Sequence, residues 1–190
     1  MDTARKRLEN IEVNFENVRP TRNRFDGRSG FREFFLNELK SLYYVEKALL
    51  KAFPKLIKNS CSFELIEAIT IHQEETKLQS LRLEDDFLNR NENPVLERCQ
   101  AIEALLDNID SIIEDTKFGM VRDAGIVLGL LQIEHYEIAT YTTLITFAEN
   151  LQENEIAQWL FQALNEEKIA ELRLAKIANT IRFYADDSSF

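Results

Sequence analysis

Turn-forming residues are scarce in this sequence. Of 190 residues, 5 are Gly and 3 are Pro. A β-sandwich or barrel needs a turn signal roughly every 8–12 residues. The chain does not supply them, so an all-α fold is expected. Cysteine is nearly absent as well. Cys61 and Cys99 make no metal or redox spacing, and reduced thiols in a cytoplasmic protein are the expectation. No stretch is long and apolar enough to span a membrane. The opening run, Met1-Asp2-Thr3-Ala4-Arg5-Lys6-Arg7, has no apolar segment behind its charges and does not read as a signal peptide. Basic residues are outnumbered, 23 against 33 acids, giving a formal charge of −10. That balance suits neither nucleic acid nor an anionic membrane as partner. What the chain does have is apolar content: 45% of its residues are hydrophobic. This is enough for the core of one domain and too much for disorder.

Residues 1–30 differ from the rest. They are polar, and Arg19 to Gly30, with Pro20, Gly27 and Gly30, reads as a linker. Before it, Leu8, Ile11, Phe15 and Val18 recur at helical spacing. They form either a short arm that docks on a partner subunit or a frayed tail. Residues 31–185 read as one helical domain, and 186–190 as a tail.

From Phe31 a helical period is plain. Phe35, Leu39, Leu42, Glu46, Leu49 and Phe53 follow at four, three, four, three, four. Pro54 should kink or end this helix nearby. Ser62 is a good N-cap for a second helix, with Glu64 in its first turn. Its stripe is Leu65, Ile69, His72, Glu75 or Thr76, Gln79 and Leu83. Asn93-Pro94 reads as an N-cap followed by Pro at the first helical position, opening a shorter helix to about Glu114. A third long helix begins near Gly119, with the stripe Val127, Leu131, Glu134, Ile138, Tyr141, Ile145 and Ala148. After a turn at Gln152 to Asn154, the fourth carries Leu160, Leu164, Glu167, Glu171, Leu174 and Ala178.

Connection lengths predict the topology. The first and second long helices are joined by a few residues, as are the third and fourth, so each pair is antiparallel. Roughly 30 residues with their own helix separate the second from the third, enough to return the chain along the bundle. Two hairpins joined by one long crossover is the ferritin-like four-helix arrangement, here with a shorter fifth helix in the crossover.

Each long stripe is apolar except near its middle. There stand Glu46, then His72 and Glu75, then Glu134, then Glu167, with Glu137 one turn after Glu134. Ionised carboxylates are rarely buried unless paired or metal-bound. Five converging on one another would repel and raise their pKa values. The stripes carry no base near these positions to neutralise them. Two divalent ions would bring four positive charges against five negative ones, with His72 neutral. The recurrent di-metal pattern is one Glu from each of two helices and Glu-x-x-His from each of the other two. This chain departs from it: His72-x-x-Glu75 is reversed, Glu134 to Glu137 is a Glu-x-x-Glu pair, and the fourth helix has no His. With only two His in the chain, the site must be oxygen-rich, which suits Fe or Mn. His72 reads as a ligand or as a hydrogen-bonded core residue. His135 reads as structural or as a support behind the ligands, Glu166 as solvated, and Tyr43, Tyr44 and Tyr141 as packing.

Several segments resemble the YciE/YciF-like branch of ferritin-like proteins. These are Phe35-Leu36-Asn37-Glu38-Leu39-Lys40-Ser41-Leu42-Tyr43-Tyr44-Val45-Glu46-Lys47, His72-Gln73-Glu74-Glu75-Thr76, and Cys99-Gln100-Ala101-Ile102-Glu103. Glu134-His135-Tyr136-Glu137-Ile138-Ala139 with Tyr141, and Leu164-Asn165-Glu166-Glu167-Lys168, complete the set. The resemblance runs from Phe31 to about Ala178. It implies a ferritin-like bundle, often dimeric, tied to bacterial stress, with a di-metal site at Glu46, His72, Glu75, Glu134, Glu137 and Glu167. Two function classes follow as expectations. One is a di-iron or di-manganese protein acting on O2, peroxide or ferrous iron, with Glu75 and Glu167 bridging and His72 terminal. The other is a non-catalytic dimeric bundle whose site is structural or vestigial.

Overall fold

The structure is a computed structural model that describes residues 25–181. The arm residues Leu8, Ile11, Phe15 and Val18 and the tail 186–190 lie outside the described residues. Five helices follow in order: α1 Gly27–Asn59, α2 Phe63–Asn89, α3 Gln100–Asp115, α4 Met120–Asn150 and α5 Asn154–Thr180. Among the described residues, no helix is long and apolar enough to cross a membrane.

Helix α1 starts inside the segment expected to be linker. The Asp26 side chain accepts from the Gly27 amide at 2.7 Å, supplying an N-terminal cap. Gly30, read from the sequence as a breaker, is instead where the incoming chain folds back on the first turn. A Cβ there would lie 2.7 Å from the Phe25 carbonyl carbon, so the missing side chain permits the approach. Pro54 lies within α1, which continues to Asn59. Ser62 caps α2 as expected, accepting from the Leu65 amide.

The crossover differs from the expectation. Helix α3 begins at Gln100, after Cys99, and Asn93-Pro94 opens no helix. The preceding segment is irregular and runs beside α1: the Glu97 amide donates to the Lys40 carbonyl at 3.4 Å, and Cys99 is buried. The chain meets α1 along this segment before α3 packs on α4, and that contact, not the local Asn93-Pro94 signal, precedes the start of the helix.

Side-chain pairs fix the directions of the long helices. Lys47 meets Glu84 at 2.6 Å and the Phe53 ring lies 5.1 Å from that of His72, so α1 and α2 are antiparallel. Tyr141 meets Glu46 and Arg122 meets Asn59, so α1 and α4 are antiparallel. Glu75 meets Arg173 and Arg82 meets Glu166, so α2 and α5 are antiparallel. Helices α2 and α4 run parallel. The buried Asp123 accepts from the Ser62 amide at 2.8 Å, and ten or so residues on His72 meets Glu134. This is the two-hairpin, ferritin-like bundle that the connection lengths predict.

Two apolar clusters fill the bundle. One gathers Leu49, Phe53, Leu65, Ile69, Leu130, Ile133 and the buried side of α3. The other gathers Phe35, Leu39, Leu83, Phe87, Leu144 and Leu160. Between them the stripes of α1, α2, α4 and α5 turn polar.

Candidate metal centre

The polar layer is a direct product of helical spacing. On α4, Glu134, Glu137 and Tyr141 follow at three and four residues and so share one face. They face His72, Thr76 and Gln79 of α2, Glu46 of α1 and Glu167 of α5, all buried. One ligand atom from each of His72, Glu134, Glu137 and Glu167 can be chosen so that all four lie within 4.8 Å of one another. His72 Nδ1 lies 2.8 Å from Glu134 Oε1, and its Nε2 lies 3.5 Å from Glu167 Oε2. Tyr141 donates its phenol proton to Glu46 Oε1 at 2.5 Å. Gln79 donates its amide to Glu167 Oε1 at 2.5 Å and to Glu166 at 3.1 Å.

Burial sets the protonation of this layer. Desolvation pushes the Glu46 carboxyl up to about 7, against the Tyr141 bond and the His72 charge and with help from Glu134 and Glu166. Glu137 and Glu167 are raised well above the usual carboxylate range, first by burial and then by neighbouring carboxylates. Burial works against a charge on His72, yet the charge and hydrogen bond of Glu134, with Glu167 and Glu46 behind, raise it to about 9. Without a cation, then, the layer holds its protons and an imidazolium serves as its positive charge.

Residues 30–184 match a family described as a domain of unknown function, DUF892. The chain belongs to the DUF892 family. Protein YciF of Escherichia coli (strain K12) is 35% identical over 148 residues, spanning 77% of this chain and 89% of YciF. The crystal structure of that protein, described as a stress protein, superposes with a TM-score of 0.74 at 33% identity, covering 78% and 94% of the two chains. YcfI of Rhodopseudomonas palustris, provisionally described as a structural protein, gives 0.76 at 34% identity over 86% and 99%.

Within this DUF892 chain the expected ligands divide. Glu46, His72, Glu134, Glu137 and Glu167 meet in the layer, and His72 sits among them, not at their edge. Glu75 does not join them. It is half-buried at the outer seam of α2 and α5, where Arg173 grips both its oxygens at 3.0 and 3.1 Å. At about 100° per residue, the inward direction of α2 passes through Thr76 and leaves Glu75 on the flank. Arg173 stands off the α5 stripe, on the flank that faces Glu75. His135 is exposed and supports nothing in the site. Glu166 is not free in solvent, since Arg82 and Gln79 hold it. Tyr141, read as packing, is the donor to Glu46. Gln79 was visible in the sequence as a polar residue on the stripe two turns after His72; its partner, on another helix, was not.

Several oxygens in the layer are buried without a hydrogen-bond donor: Glu46 Oε2, both oxygens of Glu137 and Glu167 Oε2. Unpaired acceptors cost free energy in a low-dielectric interior. Oxygen-rich donors around one imidazole fit a hard divalent cation. The buried His/Glu group therefore has the chemistry and the spacing to hold a metal ion.

Proposed function

We propose that this DUF892 protein binds two divalent ions, Fe or Mn, between α1, α2, α4 and α5, and serves redox chemistry of peroxide, O2 or iron under stress. The observation that carries this reading is Glu137, a fully buried carboxylate with no donor to either oxygen. A structural core has no use for such a group, whereas a cation gives it a partner. Charge supports the number: two divalent ions balance the four buried carboxylates, and Glu75 as a fifth would leave the site one charge negative. Bound there, Fe or Mn would supply electrons to a small oxidant.

The protein's own residues would do the rest. Tyr141 holds a proton on Oη against Glu46 Oε1 and keeps that carboxylate turned. Gln79 fixes one oxygen of Glu167 and leaves Oε2 for a ligand. His72 must give up its proton to bind, so loading is favoured as pH rises. The apolar clusters on either side keep bulk water out. We further propose that the chain acts as a homodimer. In support, Phe63, Phe118 and Val121, at 74%, 60% and 57% exposed, crowd the bundle end where α2 and α4 begin. Light scattering at tens of micromolar should give twice the chain mass, and a monomer there would refute it.

The test of the metal reading is elemental analysis of protein purified without chelator, followed by peroxide consumption by the loaded protein. Fe or Mn near two per chain is expected, with both the metal and the consumption lost in Glu137→Gln. Protein that carries neither metal and takes up neither in excess would overturn the proposal. A second reading, a structural site, draws on Arg173 holding Glu75 away and leaving α2 one carboxylate short. It predicts bound metal whose absorbance does not change on adding peroxide.

A further inference from the structure

We infer that the Glu75–Arg173 ion pair is a latch on the route by which a cation reaches the buried layer, and that Glu75 becomes a ligand when the latch opens. The inference rests on the metal reading above.

The layer is closed on most sides. Glu46, Glu134 and Glu137 are 0% exposed and Glu167 is 1%, whereas His72 is 4%. His72 is thus the least deeply covered of the five. A groove of about 220 Å³ runs along the outside of the α2–α5 seam, walled by Glu64, Glu67, Ala68, Ile71, Arg173 and Lys176. Beneath it is a void of about 10 Å³, apolar except for His72, with Ala68 and Ala170 in its walls. That is about the room one water molecule occupies. Ala68 is common to both, so one small side chain separates the groove from the imidazole. Ala170 keeps the α5 wall equally thin.

Arg173 stands in the groove wall and grips both oxygens of Glu75. Glu75 is one turn after His72 on α2 and meets the groove through Arg173. Two consequences follow from charge. The guanidinium repels a cation in the groove, and it holds the carboxylate that would otherwise draw the cation inward. A divalent ion arriving at the His72 imidazole competes for that carboxylate with twice the charge of the guanidinium. Once Glu75 has left, Arg173, 32% exposed, keeps its contact with solvent beside the acidic groove wall of Glu64 and Glu67. The exchange moves a carboxylate from one cation to another and leaves no ion bare. It also restores to α2 the carboxylate that the sequence pattern placed in the site.

Titration of chelator-stripped protein with Mn2+ tests this, with affinity read from the free-ion EPR signal and uptake rate from competition with a fluorescent chelator. Arg173→Gln should take up Mn2+ about tenfold faster and bind it about tenfold tighter, the scale on which groups next to metal ligands act. Glu75→Gln should lose affinity, and adding Arg173→Gln to it should not bring the gain in affinity seen with Arg173→Gln alone. Ala68→Leu should slow uptake and leave the equilibrium affinity unchanged. If Arg173→Gln does not fold, Arg173→Lys, which keeps the charge but not the two-pronged grip, should show a smaller gain in rate and affinity. Wild-type rate and affinity in the Arg173 variants, or weaker binding, would overturn the latch and leave the metal reading standing. No Mn2+ bound by any form would overturn both.

Discussion

Tyr141 shows how one hydroxyl governs a buried charge. It is fully buried, its own proton is held well above the usual phenol range by burial and the surrounding carboxylates, and it spends that proton on Glu46. The bond favours the ionised form of Glu46 against the desolvation that opposes it. Tyr141→Phe keeps the ring and removes the donor, leaving the carboxylate with neither oxygen paired. A hydrogen bond to a charged group contributes about 2 kcal/mol, and the cost applies only while Glu46 is ionised. Urea denaturation of metal-free Tyr141→Phe should therefore show a larger loss at pH 8 than at pH 5, on either side of the value of about 7 for Glu46. An equal loss at both would mean that the ring, not the bond, carries the effect.

At the scale of elements, the crossover helix is placed by two glycines. A Cβ on Gly129 would come 2.2 Å from Ile109 Cγ1, and one on Gly125 would come 2.3 Å from Ile112 Cγ2. Helices α3 and α4 approach this closely because nothing intervenes. In a free helix Gly→Ala gains about 1 kcal/mol of propensity. Here Gly129→Ala should instead lose roughly 1–3 kcal/mol, because the fully buried Ile109 has no space to retreat into. Thermal unfolding checks the sign, at about 2–4 °C per kcal/mol for a chain of this size. A raised melting point would mean that α3 can shift outward freely. The same closeness holds one side of the bundle shut while α2 and α5 carry the open seam.

The whole molecule should respond to pH through its buried layer. Glu46, Glu137, Glu167 and His72 all have raised folded pKa values, so each binds protons more readily folded than unfolded. Each contributes stability that is complete below its unfolded pKa and lost as pH climbs through the folded one. Metal-free protein should thus weaken from about pH 4.3, where a free Glu titrates, to about 9, where His72 loses its charge. Metal should reverse the slope, because its ligands must be deprotonated. A hundredfold excess over Kd adds about 2.7 kcal/mol. Glu134→Gln removes both a repelling charge and the chief partner of His72. A melting series from about pH 5 to 8, with chelator or with Mn2+, should show opposed slopes that this variant flattens. Parallel slopes, unmoved by metal or by Glu134→Gln, would mean that the layer is inert.

The sequence by itself determined the helices, their pairing and the height of the polar layer. Each of these follows from local repeats: the three-and-four spacing of Phe35 to Phe53, the cap at Ser62, the face shared by Glu134, Glu137 and Tyr141. Connection length did the same for the direction of α4 relative to α2. The tertiary structure decided which flank residues face inward. His72 and Glu75 are three apart on α2, as Glu134 and Glu137 are on α4, yet only the second pair enters the layer whole. The turn of α2 about its own axis is set by what packs on each side of it, and that sends Thr76 and Gln79 inward. Arg173, which captures the carboxylate left outside, comes from a helix 98 positions away in the chain. No repeat within either helix records that they meet. The start of α3 is non-local for the same reason: Pro94 could open a helix, but the chain meets α1 first and α3 begins at Gln100.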